Sequence, residues 1–163
     1  MTDEIFREPG TTGLEGIMVR DLRPDDLEAI VRIDAQISGR SRSEYYQRKI
    51  EEATRESGIK ISLAAETEGM FAGFVLGRLY YGEFGLPEPV AIVDSIGVHR
   101  ELKGRHVGRA LFAQLETNLK AIGIETIQTQ VEWNHFELLG FLRSLDFHPV
   151  PTLTLQKKLD GAR

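Results

Sequence analysis

The stretch VAIVDSIGVHRELKGRHVGRALF, residues 90–112, falls into three parts. Its first nine residues are a nearly continuous apolar run of strand length, the pattern of a strand covered on both faces, broken by one carboxylate, Asp94. Its last part opens a helix, because Val107, Leu111, Leu115, Leu119 and Ile122 recur at helical spacing until Lys120 and a terminating Gly123. Between them Arg100, Lys103, Arg105 and Arg109 gather positive charge at one bend. A loop that feeds a helix offers unpaired N–H groups and the positive end of the helix dipole, which together favour a phosphate. Gly104 and Gly108 let the backbone approach an anion, and Lys103, Arg105, His106 and Arg109 add charge. The nucleotide patterns GxxxxGK[ST] and GxGxxG are both absent from the loop. A solvated basic loop with turn-forming glycines is the competing reading of these residues taken alone.

Working outward, GIMVRDL reads as a first strand, and RPDDLEAIVRIDAQI as a helix with Leu27, Ile30, Val31 and Ile37 on one side. SGRSRSEY is a polar loop with Ser43 as cap, before a second helix from Glu44 to Glu56. IKISLAAE and MFAGFVLGRLYY form an antiparallel hairpin around TEG, where Gly69 supplies positive φ. Downstream, ETIQTQVEW reads as a strand ending at a packed Trp133, NHFELLGFLRSL as a helix with Asn134 as N-cap, and PTLTLQKKL as a final alternating strand. The order predicts an α/β (α+β mixed) fold: a mostly antiparallel mixed sheet of about six to seven strands with helices on both faces. Residues 1–16 read as a flexible tail and 17–160 as a single domain.

Composition narrows the chemistry. Cysteine is absent, which removes disulfides and thiolate sites, and the four histidines have no metal-ligand spacing, so no metal is expected. The formal charge of −5 argues against a nucleic-acid surface. The start of the chain has no signal-type apolar run, and no segment approaches the ~20 apolar residues that span a membrane, so the default expectation is cytoplasmic.

The segment VDSIGVHRELKGRHVGRALF resembles the central motif of the GNAT superfamily of acyl-CoA-dependent N-acetyltransferases, V-x-x-x-x-R/Q-x-x-G-x-G/A, with Val98 in the opening position. One register sets Lys103, His106 and Gly108 on R/Q, G and G. The other sets Arg105, Gly108 and Ala110 on R/Q, G and G/A. The resemblance runs in element order over roughly residues 17 to 160 and is strongest from Ala91 to Val131. It implies a GNAT-like fold, acetyl-CoA as co-substrate and an amine as acceptor. It further implies that the loop N–H groups of Lys103, Gly104, Arg105, His106, Val107, Gly108 and Arg109 hold the coenzyme pyrophosphate. The strand at Ile96, Gly97 and Val98 then pairs with pantetheine and supplies the oxyanion N–H groups.

By the same resemblance Asp94 is the candidate catalytic base, against the alternative of a strand carboxylate satisfied by a neighbouring backbone N–H. Asn134 matches an asparagine that contacts the coenzyme. The tyrosine acid of many relatives falls here on Phe141 or Leu142, neither of which donates a proton. The thiolate therefore leaves unassisted or through water, or His135 replaces the acid, or the chain is a non-catalytic CoA-binding sensor or interaction module. The expected reaction is acetyl transfer to a primary amine of a small molecule or protein, and a homodimer is left open. The acidic net charge favours a cationic acceptor such as a protein N-terminus, lysine, polyamine or aminoglycoside.

Overall fold

The structure, a computed structural model, describes residues 16–55 and 61–161; residues 1–15 of the expected tail lie outside that range. The chain divides into two units, Met1–Gln130 and Val131–Arg163.

In the first unit β1 (Ile17–Asp21), β2 (Leu63–Thr67), β3 (Met70–Tyr80), β4 (Val90–Val98) and β5 (Ile127–Thr129) form one sheet in sequence order. Its pairs are antiparallel except β4–β5, which is parallel. The hairpin turns at Glu68 and Gly69, both left-handed at φ 51 and 75, as a two-residue turn between right-twisted strands requires.

Helices α1 (Leu27–Ser38) and α2 (Ser43–Arg55) pack on one face of the sheet. Their core joins Ile30, Ile33, Tyr46 and Ile50 to Phe74 and Leu76 of β3. Of the apolar side expected for α1, Ile37 is half exposed and Ile33 is buried instead, because the inward stripe runs through Ile30, Ile33 and Asp34. Ser43 begins α2 rather than preceding it. Helix α3 (Val107–Ala121) covers the other face with Val107, Leu111, Phe112, Leu115 and Leu119, and supplies the crossover that a parallel β4–β5 pair needs.

In the second unit α4 spans Phe136–Ser144. Trp133, expected to pack at a strand end, is 83% exposed, and the strand expected over residues 125–133 is limited to β5. The final strand expected over residues 151–159 is absent: Leu153, Leu155 and Leu159 are exposed and join no ladder. Alternation gives a segment strand character but not a partner, and Pro149 and Pro151 remove two ladder donors at its start. The described residues therefore form five strands, not six to seven.

Candidate active site

The distinctive local feature lies in β4. Strand β3 pairs Leu76 with Ser95 but Gly77 with Val93, so Asp94 is an extra residue, a bulge. A regular strand would send Asp94 and Ser95 to opposite faces; here both meet α2, Asp94 at Lys49 and Ser95 at Tyr46.

The bulge also changes which backbone groups face each neighbour. Before it, Ala91 donates its N–H to Thr126 on the β5 side at 3.0 Å. After it, His99 donates to Ala72 at the β3 edge at 2.8 Å. Strand alternation then turns the N–H and C=O groups of Ile96 and Val98 away from β3, whereas Gly97 faces it. The β5 ladder covers only residues 91–93, and its end is closed by Thr129 Oγ1 donating to the Val93 carbonyl at 2.9 Å. Among the described residues, β4 beyond Val93 has no strand on that side, leaving an edge at Ile96 and Val98. Gly97 is a packing position: a Cβ there would lie 2.6 Å from the Phe74 ring and 3.0 Å from Ile33.

Among the described residues Asp94 accepts from two cationic side chains and from no backbone N–H, unlike the alternative raised by the sequence. Its Oδ2 accepts from Arg78 Nε at 3.2 Å and Lys49 Nζ at 3.5 Å, and its Oδ1 accepts from Arg78 Nε at 3.4 Å. These groups line a cleft of about 140 Å³ with Glu52, Ser62 and Gly77. Arg78 also stacks over the Tyr80 ring, 4.9 Å from its centroid.

Beside the bulge runs a second polar chain. Asp34, buried in α1, accepts from Arg42 Nε at 2.8 Å, from Arg42 Nη2 and from the Tyr46 hydroxyl at 2.8 Å; that hydroxyl stands 3.4 Å from Ser95 Oγ. Burial pushes the Asp34 carboxyl upward, but bonds from Arg42 and then Tyr46 outweigh it and hold the group below its ordinary value. Burial first, and then the Asp34 bond, push the Tyr46 hydroxyl up to about 12, against an opposing contact with Ser95.

After β4 the chain makes one 3₁₀ turn, Arg100–Leu102, whose start is capped by His99 Nδ1 accepting from the Glu101 N–H at 3.2 Å. Gly104 and His106 are both left-handed, at φ 78 and 66. Residues Lys103, Gly104, Arg105, His106 and Arg109 are exposed, whereas Val107 and Gly108 are buried at the start of α3. His106 stands at the N-cap of α3, and its side chain makes no cap bond.

In the second unit the N-cap of α4 is His135, not Asn134. His135 Nδ1 accepts from the Leu138 N–H at 3.2 Å, and Asn134, exposed one residue earlier, accepts from the Phe136 N–H through its carbonyl at 3.0 Å. Histidine outside the usual Ser/Thr/Asp/Asn set makes this cap hard to read from sequence. Phe141 lies in α4 with its carbonyl bonded by the Ser144 hydroxyl. Sequence reasoning missed Lys49, Arg78, Asp34 and Ser95. The apolar-face interruption at Asp34 was their one visible signal.

Residues 25–147 match the acetyltransferase (GNAT) family. An acetyltransferase of Pectobacterium atrosepticum is 28% identical over 145 residues, which cover 86% of this chain and 94% of that one. An aminoglycoside N-acetyltransferase solved with CoA has the same fold with a TM-score of 0.73 at 17% identity, over 87% of this chain and 94% of that one. Glucosamine-6-phosphate N-acetyltransferase from Arabidopsis thaliana gives 0.68 at 16% identity, over 90% and 100%. No helix among the described residues is long and apolar enough to cross a membrane. Acetyl-CoA is the acyl donor of this acetyltransferase. The family match spans most of the chain, including the bulged strand, the basic turn and α3, and the protein belongs to the acetyltransferase (GNAT) family.

Proposed function

We propose that this acetyltransferase moves the acetyl group of acetyl-CoA to a primary amine, with Asp94 as base and residues 103–109 as the pyrophosphate cradle. The observation that carries the reading is continuity: the edge at Ile96 and Val98 leads, within one 3₁₀ turn, to a basic bend and a helix start whose N-cap side chain, His106, makes no cap bond. Backbone N–H groups at that bend suit a compact polyanion. Left-handed His106 supports the register in which Lys103, His106 and Gly108 take the motif positions, since glycine there in the family pattern would meet the same backbone demand.

Acetyl-CoA supplies a thioester carbonyl. The Ile96 and Val98 edge aligns that end of the coenzyme and donates N–H bonds toward the oxygen as it gains charge. Asp94 takes the amine proton, directly or through one water, while the C–N bond forms and the C–S bond breaks. Phe141 offers no acid, and a thiol pKa of about 8.5 makes a thiolate a tolerable leaving group near neutral pH. Calorimetry with CoA, followed by thiol release from acetyl-CoA across a panel of primary amines, tests the reading. CoA binding with amine-dependent release is expected; CoA binding without release from any amine favours the non-catalytic reading instead.

A further inference from the structure

The chain is acidic overall, yet the cleft beside Asp94 sets two cations, Lys49 and Arg78, against its two acids, Asp94 and Glu52. Lys49 and Arg78 reach the same carboxylate from α2 and β3, and the second acid of the cleft, Glu52, is mostly exposed and 3.7 Å from Lys49 Nζ. Arg78 spends only Nε on Asp94. Among the described residues its two Nη atoms bond no side chain or carbonyl, while stacking on Tyr80 holds the plane of the group and leaves it 42% exposed. A guanidinium held by Nε, on a residue that lines the cleft and with its terminal Nη pair unbonded among the described residues, is a fork for an oxyanion.

Resting on the acetyl-transfer reading, we infer that the acceptor is a small primary amine that also carries a carboxylate or phosphate, the oxyanion on the Nη pair of Arg78 and the amine at Asp94. Three physical points support this. Lys49 and Arg78, both on Asp94, offset the pull of its carboxylate on an ammonium and so favour the neutral amine that attacks. With its two acids offset by two cations, the cleft has no net negative charge to draw a polycation, so the net charge of the whole chain misleads about its acceptor. An oxyanion drawing Arg78 toward itself loosens the Arg78–Asp94 bond and frees a carboxylate oxygen for the amine proton. A cleft of about 140 Å³ also suits a small molecule, since cavities of roughly 150 Å³ take benzene.

The test compares 2-aminoethyl phosphate and β-alanine with uncharged 2-methoxyethylamine and with spermidine, each with acetyl-CoA, reading thiol release in wild type, Arg78→Gln and Arg78→Lys. The expected result is a lower KM for the anionic amines than for 2-methoxyethylamine, a ratio that Arg78→Gln cuts about tenfold to a hundredfold and Arg78→Lys partly restores, whatever the variants do to turnover of the neutral amine through Asp94. Preference between phosphate and carboxylate identifies the oxyanion. Lower KM for spermidine, or anionic amines indifferent to Arg78→Gln, overturns the acceptor assignment while acetyl transfer stands. No release with any amine overturns both. Melting curves check that Arg78→Gln is folded, and Lys49→Met, which leaves the fork intact, must retain the anionic preference for the assignment to stand.

Discussion

The Tyr46 hydroxyl donates to Asp34 Oδ1 at 2.8 Å, joining α2 to α1 directly behind the bulged strand. Tyr46 is 1% exposed and Asp34 5%, so the bond carries desolvated groups and its loss leaves part of a buried carboxylate unsatisfied. Tyr46→Phe is expected to cost about 1–3 kcal/mol in denaturant unfolding, with Arg42 still holding the acid.

The same pair sets a pH window for stability. An unfolded tyrosine ionises near 10.0, whereas folded Tyr46 keeps its proton to about 12, so its contribution is complete below pH 10 and lost as pH rises to 12. Asp34 runs the other way: its lowered value gives stability present above its unfolded pKa of about 3.9 and lost as pH falls below that. Unfolding free energies across pH should decline at both ends, and the alkaline decline should shrink in Tyr46→Phe. An unchanged alkaline limb in that variant contradicts the assignment.

His106 is a histidine in a backbone conformation that glycine adopts freely, at φ 66. His106→Gly relieves strain of order 1–3 kcal/mol but adds unfolded-state freedom, so a net stabilisation of about 0.5–1 kcal/mol is expected, with CoA affinity retained. His106→Val should destabilise, since a β-branched residue tolerates this conformation least. Thermal melts of the two variants moving in the same direction would contradict the reading.

Much of this site was legible in the chain. Residues 90–98 are read as one strand because eight apolar or small residues run unbroken but for Asp94, and β4 has those bounds. Helix α3 is read from an apolar stripe of which Val107, Leu111, Leu115 and Leu119 are buried, whereas Ile122 is the C-cap and 43% exposed. The bulge is invisible in sequence, because it is a property of pairing with β3 and not of either strand alone. Lys49 and Arg78 are 45 and 16 residues from Asp94, so only the folded chain joins them to it. The final strand fails for the converse reason: residues 151–159 have the right period, and period does not supply a neighbouring edge.

Asp94→Asn keeps the shape of the side chain and removes the proposed proton acceptor. A fall in kcat/KM of about a hundredfold or more is expected, largest at low pH where external base is scarce, with CoA affinity little changed. With Phe141 in place of an acid, the wild-type profile should rise with pH and lack a descending limb near a tyrosine pKa of about 10. A descending limb abolished by His135→Ala would assign the acid to His135 instead.

The central claim is that the turn after β4 holds the coenzyme for acetyl transfer to an amine, and Gly108 tests it most directly. Gly108 is buried in the first turn of α3, where glutamate adds bulk and negative charge at the helix end proposed to hold the pyrophosphate. The decisive measurement is amine-dependent thiol release from acetyl-CoA, with CoA affinity by calorimetry, in wild type and in folded Gly108→Glu. Release in wild type, with both release and CoA binding lost in Gly108→Glu, is the predicted result; normal CoA binding by Gly108→Glu would contradict it.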